Sequence, residues 1–171
     1  MKTIVFFNNP EVKDQSRLLP KKHTEIGCNY FNQIRTMDHI CAYDPHTAGL
    51  IPQNSPQTQY WTRNGNRSTT WNELCCPIVY NPQDSGTMAI LLAIKLGAKD
   101  IYILGCGWGK TNQSIFDHLY NNPKNVQKVS NIKIKLLKRY QTDFKVNLFF
   151  VCEPFAKGFE FLHFEDLLLS I

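Results

Sequence analysis

A chain of 171 residues with 43% hydrophobic and 12% aromatic content carries enough apolar material for one domain with a sizeable core, which excludes a disordered chain. Its 19 basic and 14 acidic residues leave a charge of +5, which suits an anionic ligand; base-stacking aromatics are not interleaved with the lysines, so nucleic acid is not the expected partner. No apolar run of about 18 residues occurs, which excludes a membrane-spanning helix.

In chain order, Thr3–Phe7 is the first strand candidate. Its apolar stretch ends at Asn8-Asn9-Pro10, too short for the core of a signal peptide, so the protein is expected in the cytoplasm. Glu25–Cys28 and His39–Ala42 follow, closed by Asn29 and by Asp44-Pro45. The stretch Gln53–Asn72, rich in Gln, Asn, Thr and Pro, reads as an irregular excursion with a hairpin about Asn64-Gly65-Asn66. Pro77–Tyr80 reads as a strand. Ser85–Leu96 reads as the clearest helix, capped by Asp84 or Ser85 and closed by Gly97. Asp100–Leu104 is the next strand, followed by a loop from Cys106 to Pro123. A second helix is predicted over Asn125–Asp143, with Val129, Ile132, Leu136, Tyr140 and Phe144 as its apolar stripe. Val146–Val151 completes the strands, and a short helix covers Phe164–Leu169.

The order strand, helix, strand over residues 77 to 104 and again over 100 to 151 is the βαβ pattern. The predicted fold is therefore α/β: a Rossmann-like, mostly parallel sheet with helices on both faces, in one domain over residues 1–171. Such sheets place ligands at the C-terminal ends of their strands. The six cysteines form no CxxC pair and read as reduced thiols, and the histidines lack zinc-ligand spacing, so no metal or other cofactor is expected.

Polar residues cluster at those strand ends. Asp84-Ser85-Gly86-Thr87 opens the clearest helix, where free backbone amides and the helix dipole favour a phosphate or carboxylate. An ordinary N-cap is the alternative reading. Asn8 and Asn9 end the first strand, Asn29 the second and Asp44 the third; such amides and carboxylates suit ribose, base or sugar recognition, or serve only as turn residues. Gly105-Cys106-Gly107-Trp108-Gly109-Lys110 is glycine-rich without a helix at once behind it, and Trp108 is a candidate ligand contact. The basic stretch holding Lys124, Lys128, Lys133, Lys135, Lys138 and Arg139 is a solvated helix face or an attraction for an anionic ligand.

These residues carry a resemblance. Asn8-Asn9-Pro10, Cys28-Asn29-Tyr30-Phe31, Tyr43-Asp44-Pro45 and the block from Ser85 to Gly105 resemble the bacterial sialyltransferases of glycosyltransferase family 42, and share much with 6-hydroxymethylpterin pyrophosphokinase-like Rossmann domains. The family pattern is GNGPS after a strand, then CN, then YNP, then SG opening a helix that ends in ALGYKEIYLSGID. The resemblance implies a metal-independent transferase domain for a cytidine nucleotide sugar. Asn9 and Asn29 would face phosphate and sugar, Asp44 would replace the Asn of YNP, and Ser85 and Gly86 would lie near the nucleotide or the sugar carboxylate, with Asn8 and Thr87 beside them. Gly107 stands where the family has an acidic residue, Gly109 and Ser114 fall near its two tyrosines, and its histidine position falls near Gln127-Lys128. His118, in the loop Phe116-Asp117-His118-Leu119-Tyr120, is the substitute base, a surface histidine being its plain reading. His23, His39, His46 and His163 have weaker claims.

The leading expectation is a glycosyltransferase that moves a CMP-sugar to a glycan acceptor. The alternatives are a nucleotide or nucleotide-sugar binding protein without chemistry, and a pyrophosphokinase-like enzyme, which would need Mg²⁺ and more acidic residues. A homo-oligomer is left open.

Overall fold

The computed structural model describes residues 2–65, 70–106, 129–152 and 154–171. Strand β1 (Lys2–Phe6) leads through helix α1 (Val12–Leu18) to β2 (Thr24–Cys28), and a 3₁₀ turn over Asn29–Gln33 leads to β3 (His39–Ala42). Helix α2 (Pro45–Leu50), β4 (Gln59–Arg63) and β5 (Asn72–Leu74) follow, then a 3₁₀ turn over Ile78–Tyr80 and α3 (Ser85–Lys95). The remaining described elements are β6 (Asp100–Leu104), α4 (Asn131–Phe144), β7 (Asn147–Val151), β8 (Glu160–Phe161) and α5 (Phe164–Ser170).

Eight strands form one sheet in the order β5-β4-β3-β2-β1-β6-β7-β8. Every neighbouring pair is parallel. The chain therefore steps outward from β1 to β5, crosses back through α3, and steps outward again from β6 to β8. The α/β Rossmann-like architecture expected from the sequence is the one observed.

Strand alternation divides the interior in two. Val5, Ile26, Cys28, Cys41, Ile101, Ile103, Leu148 and Phe150 pack with α3 and α4 on one face. Ile4, Phe6, Ile40, Ala42, Tyr102 and Leu104 pack with Val12, Phe31, Met37, Ala48 and Leu167 on the other. Both faces are covered, which is why the central strands read as unbroken apolar runs.

Several expectations are corrected. Pro77–Tyr80 is not a strand: Ile78–Tyr80 forms a 3₁₀ turn after Pro77, and Ile78 is 87% exposed. The backbone of that turn is held by α4: Arg139 Nη1 donates to the Val79 carbonyl at 2.9 Å and Tyr140 Oη to the Tyr80 carbonyl at 2.8 Å. Consequently the first βαβ unit does not run from residue 77; α3 links the far edge of the sheet to β6. β4 and β5 pair in parallel, so they are not the two arms of a hairpin about Asn64-Gly65-Asn66, of which Asn66 lies outside the described residues. The second helix begins at Asn131, capped by Ser130, whose Oγ accepts from Lys133 N at 3.3 Å; the expected start over residues 125–128 lies outside the described residues. Its buried stripe is Leu136, Leu137 and Tyr140, whereas Ile132 is 64% exposed. The six cysteines are free thiols, three of them buried.

Candidate functional site

The strand order reverses between β1 and β6, and the crevice above the carboxyl ends of such a pair is where open parallel sheets bind ligands. The ladder continues past the strands here: Phe7 N donates to the Leu104 carbonyl at 2.8 Å and Asn9 N to the Gly105 carbonyl at 3.1 Å. Asn8 sits between these bonds. Its Oδ1 is buried with no hydrogen-bond partner among the described residues, a costly state for an amide oxygen unless a donor arrives from elsewhere. Asn9 is buried, and its Oδ1 accepts from Glu11 N at 3.1 Å, which shapes the turn into α1.

The next strand ends are joined by one hydroxyl. Ser85 Oγ donates to Asn29 Oδ1 at 2.9 Å and accepts from Tyr43 N at 3.0 Å. It thereby ties the ends of β2 and β3 to the first turn of α3. Asn29 adopts φ 53°, a left-handed conformation that asparagine tolerates better than most residues. Asp44, next to Tyr43, caps α2: its Oδ1 accepts from His46 N at 2.9 Å and Thr47 N at 3.1 Å.

Asp84, rather than Ser85, is the N-cap of α3. Its Oδ1 accepts from Thr87 N at 2.8 Å, while Thr87 Oγ1 accepts from Asp84 N at 3.1 Å, a reciprocal capping box. Lys133 of α4 ion-pairs with the other carboxylate oxygen at 2.5 Å. One of the helix's orphan amides is thus answered by Asp84, and the amides of Ser85 and Gly86 complete the turn's positive end. Gly86 is required by packing: a Cβ there would stand 2.4 Å from the Phe7 ring. This close approach seats α3 against the end of β1. Burial pushes the Cys28 thiol, at the end of β2, well above its ordinary range, with nearby Cys41 and Asp84 adding to the shift.

The structure therefore brings Asn29, Ser85, Gly86 and Asp44 together, with Asn8 and Asn9 at the adjoining switch point. Trp108 and His118 lie outside the described residues. Of the other histidines, His39, His23 and His163 sit elsewhere, while the backbone N–H of His46 donates to Asp44 Oδ1 beside the site. His39 begins β3 at the opposite end of the sheet, where its Nδ1 accepts from Trp61 Nε1 at 3.2 Å. His23 precedes β2, His163 precedes α5, and His46 is exposed in α2. The sequence reading named Asp84 as a possible cap and Lys133 in the basic stretch but not their ion pair, and it missed Arg63 at the end of β4, whose guanidinium lies 5.1 Å from the centre of the Tyr43 ring. Among the described residues no group of three or more His, Cys, Asp or Glu side chains is arranged to hold a metal ion. No helix of those residues is long and apolar enough to cross a membrane.

No protein-family model matches the chain. No curated protein matches it. Solved structures do. The sialyltransferase CstII from Campylobacter jejuni, in complex with the substrate analogue CMP-3FNeuAc, is similar over 94% of this chain and 84% of that one, with a TM-score of 0.54 at 17% identity. The sialyltransferase CST-II in complex with a trisaccharide acceptor and CMP is similar over 89% of this chain and 81% of that one, with a TM-score of 0.48 at 21% identity. At these identities the likeness is one of architecture, and the chain has a sialyltransferase-like fold.

Proposed function

We propose that this protein is a glycosyltransferase that binds a CMP-sugar in the crevice above β1, β2 and β3 and passes the sugar to a glycan acceptor. The observation that carries this reading is the Asn29–Ser85–Tyr43 network, which fixes polar groups from two strands and a helix start at one end of the sheet. The unpartnered Asn8 oxygen at the switch point supports it, since an amide oxygen in that state suits a donor such as a ribose hydroxyl or an exocyclic amine. The Ser85 and Gly86 amides suit a phosphate, and the fold is similar to that of a sialyltransferase solved in complex with a CMP-sugar analogue.

In the proposed reaction the acceptor hydroxyl attacks the anomeric carbon of the sugar. The bond from that carbon to the phosphate oxygen breaks, and the electron pair leaves with CMP. The hydroxyl proton passes to His118, and donors fixed about the departing phosphate stabilise its charge. A transfer assay tests this. His118→Ala lowers turnover by about 10²–10⁴-fold while CMP binding stays within about twofold of the native protein.

A second reading, nucleotide-sugar binding without chemistry, is favoured by departures from the pattern of the family the sequence resembles: Gln127-Lys128 fall near its histidine position, and Gly109 and Ser114 near its two tyrosines. It predicts no turnover in the native protein and full retention of CMP binding in His118→Ala.

A further inference from the structure

Two surfaces of the molecule expose aliphatic side chains beside a pair of like charges. The first is a flank of α4. Ile132, Lys135 and Arg139 are exposed, and their three- and four-residue spacing sets them along one side of the helix. Arg139 Nη1 donates to the Val79 carbonyl, which pins the turn Ile78–Tyr80 against that side with Ile78 and Val79 exposed. Asp143, one helical turn beyond Arg139, is engaged by Tyr80 Oη, which donates to its Oδ2 at 3.0 Å.

The second surface is α5. Leu167 anchors this helix in the core, while Glu165, Asp166, Leu168 and Leu169 are exposed, Leu169 by 89%. Glu165 and Leu169 stand one turn apart on the same side. Among the described residues no ion pair engages Lys135, Arg139, Glu165 or Asp166.

Within one copy the two surfaces cannot meet. Leu136, Leu137 and Tyr140 of α4 pack on the side of the sheet that holds Val5 and Ile101, and Leu167 of α5 packs on the side that holds Ile4 and Phe6. Between copies they match: Lys135 and Arg139 with Ile78, Val79 and Ile132 face Glu165 and Asp166 with Leu168 and Leu169. Apolar side chains rimmed by charge mark a surface for association, and opposite charge fixes which surface pairs with which.

We propose that this chain associates with itself head to tail, α5 of one copy seated on the α4 flank and the Ile78–Tyr80 turn of the next. Such a contact joins two different surfaces, so assembly continues into a ring or an open chain. Each patch is small, which makes the association weak and dependent on concentration.

Sedimentation velocity of the full chain over a concentration series at low ionic strength tests this, using the native protein, Lys135→Glu/Arg139→Glu and Glu165→Lys/Asp166→Lys. The native weight-average mass exceeds that of one chain and rises with concentration, and salt at about 0.5 M weakens the association several-fold by screening the charges. Each variant alone carries like charges on both surfaces and sediments as a single chain. An equimolar mixture of the two restores association to within about threefold of the native constant, because each supplies the surface that the other needs. Circular dichroism establishes that both variants fold as the native protein does. A native chain that stays single at every concentration, variants that associate as the native does, or a mixture of folded variants that stays single overturns the proposal. So does a single native chain that sediments instead with phosphatidylglycerol vesicles, a result that gives the α4 flank to a lipid surface.

Discussion

Ser85 spends its hydroxyl on two partners from two different strands, and Gly86 beside it leaves room for the Phe7 ring. Each is a one-atom requirement. Adding a methyl group at Gly86 forces α3 away from β1, and Gly86→Ala is expected to lower the unfolding free energy by about 1–3 kcal/mol in urea titration. His39 supplies a different test. Burial lowers its pKa below the ordinary 6.5, partly opposed by Asp38, and its Nδ1 accepts the Trp61 indole N–H. The unfolded chain therefore takes up this proton at higher pH than the folded one. Stability is fully present above pH 6.5 and falls as the pH drops through the folded pKa. The urea midpoint should decrease between pH 7.5 and pH 5.5, and His39→Gln should reduce that decrease. Burial and the nearby Lys2 and Lys22 also lower the pKa of His23, so part of the slope survives in the variant. Ser85 and Asn29 were legible in the sequence because each closes or opens an element with an unusual residue type. Arg63 was not, since nothing marks a lone arginine in a polar stretch until its strand is known.

At the scale of elements, apolar composition announced β1, β2, β3, β6 and β7 and misled at Ile78-Val79-Tyr80. That run is as apolar as a strand, but Tyr80 packs on Tyr140 and Phe144 while α4 bonds its carbonyl, so the backbone coils instead of pairing. The reverse happened at Gln59–Arg63. Its alternation of exposed and covered residues is that of a strand with one face toward solvent, hidden among the Asn, Thr and Pro around it. An ion pair and its hydrogen bonds link β2 to the end of α1. The side chain of Glu25 on β2 is fully buried, and Arg35 holds it in bidentate fashion at 2.6 and 2.9 Å. The same guanidinium donates to the Ser16 and Leu19 carbonyls at 2.7 and 2.8 Å, which fixes the end of α1. Desolvation raises the Glu25 pKa even with Arg35 in place, so removing the arginine leaves a buried carboxyl without its counter-ion. Arg35→Met is expected to cost about 3–5 kcal/mol of unfolding free energy, read from chemical denaturation.

For the whole molecule, the all-parallel sheet and its single reversal of strand order locate the crevice, and the polar ends of β1, β2 and β3 with the start of α3 furnish it. The net charge of +5 suits the anionic ligand proposed for it. The measurement that tests this most directly is the thermal unfolding midpoint of the native protein and of Ser85→Asp, with and without CMP-N-acetylneuraminic acid, each variant compared with its own ligand-free midpoint. A ligand at about 100 times its Kd stabilises by about 2.7 kcal/mol, which for a chain of this size raises the midpoint by roughly 5–10 °C. The account predicts that rise in the native protein and its loss in Ser85→Asp, whose added carboxylate opposes an anion at the start of α3. No rise in the native protein, or an equal rise in Ser85→Asp, would contradict it.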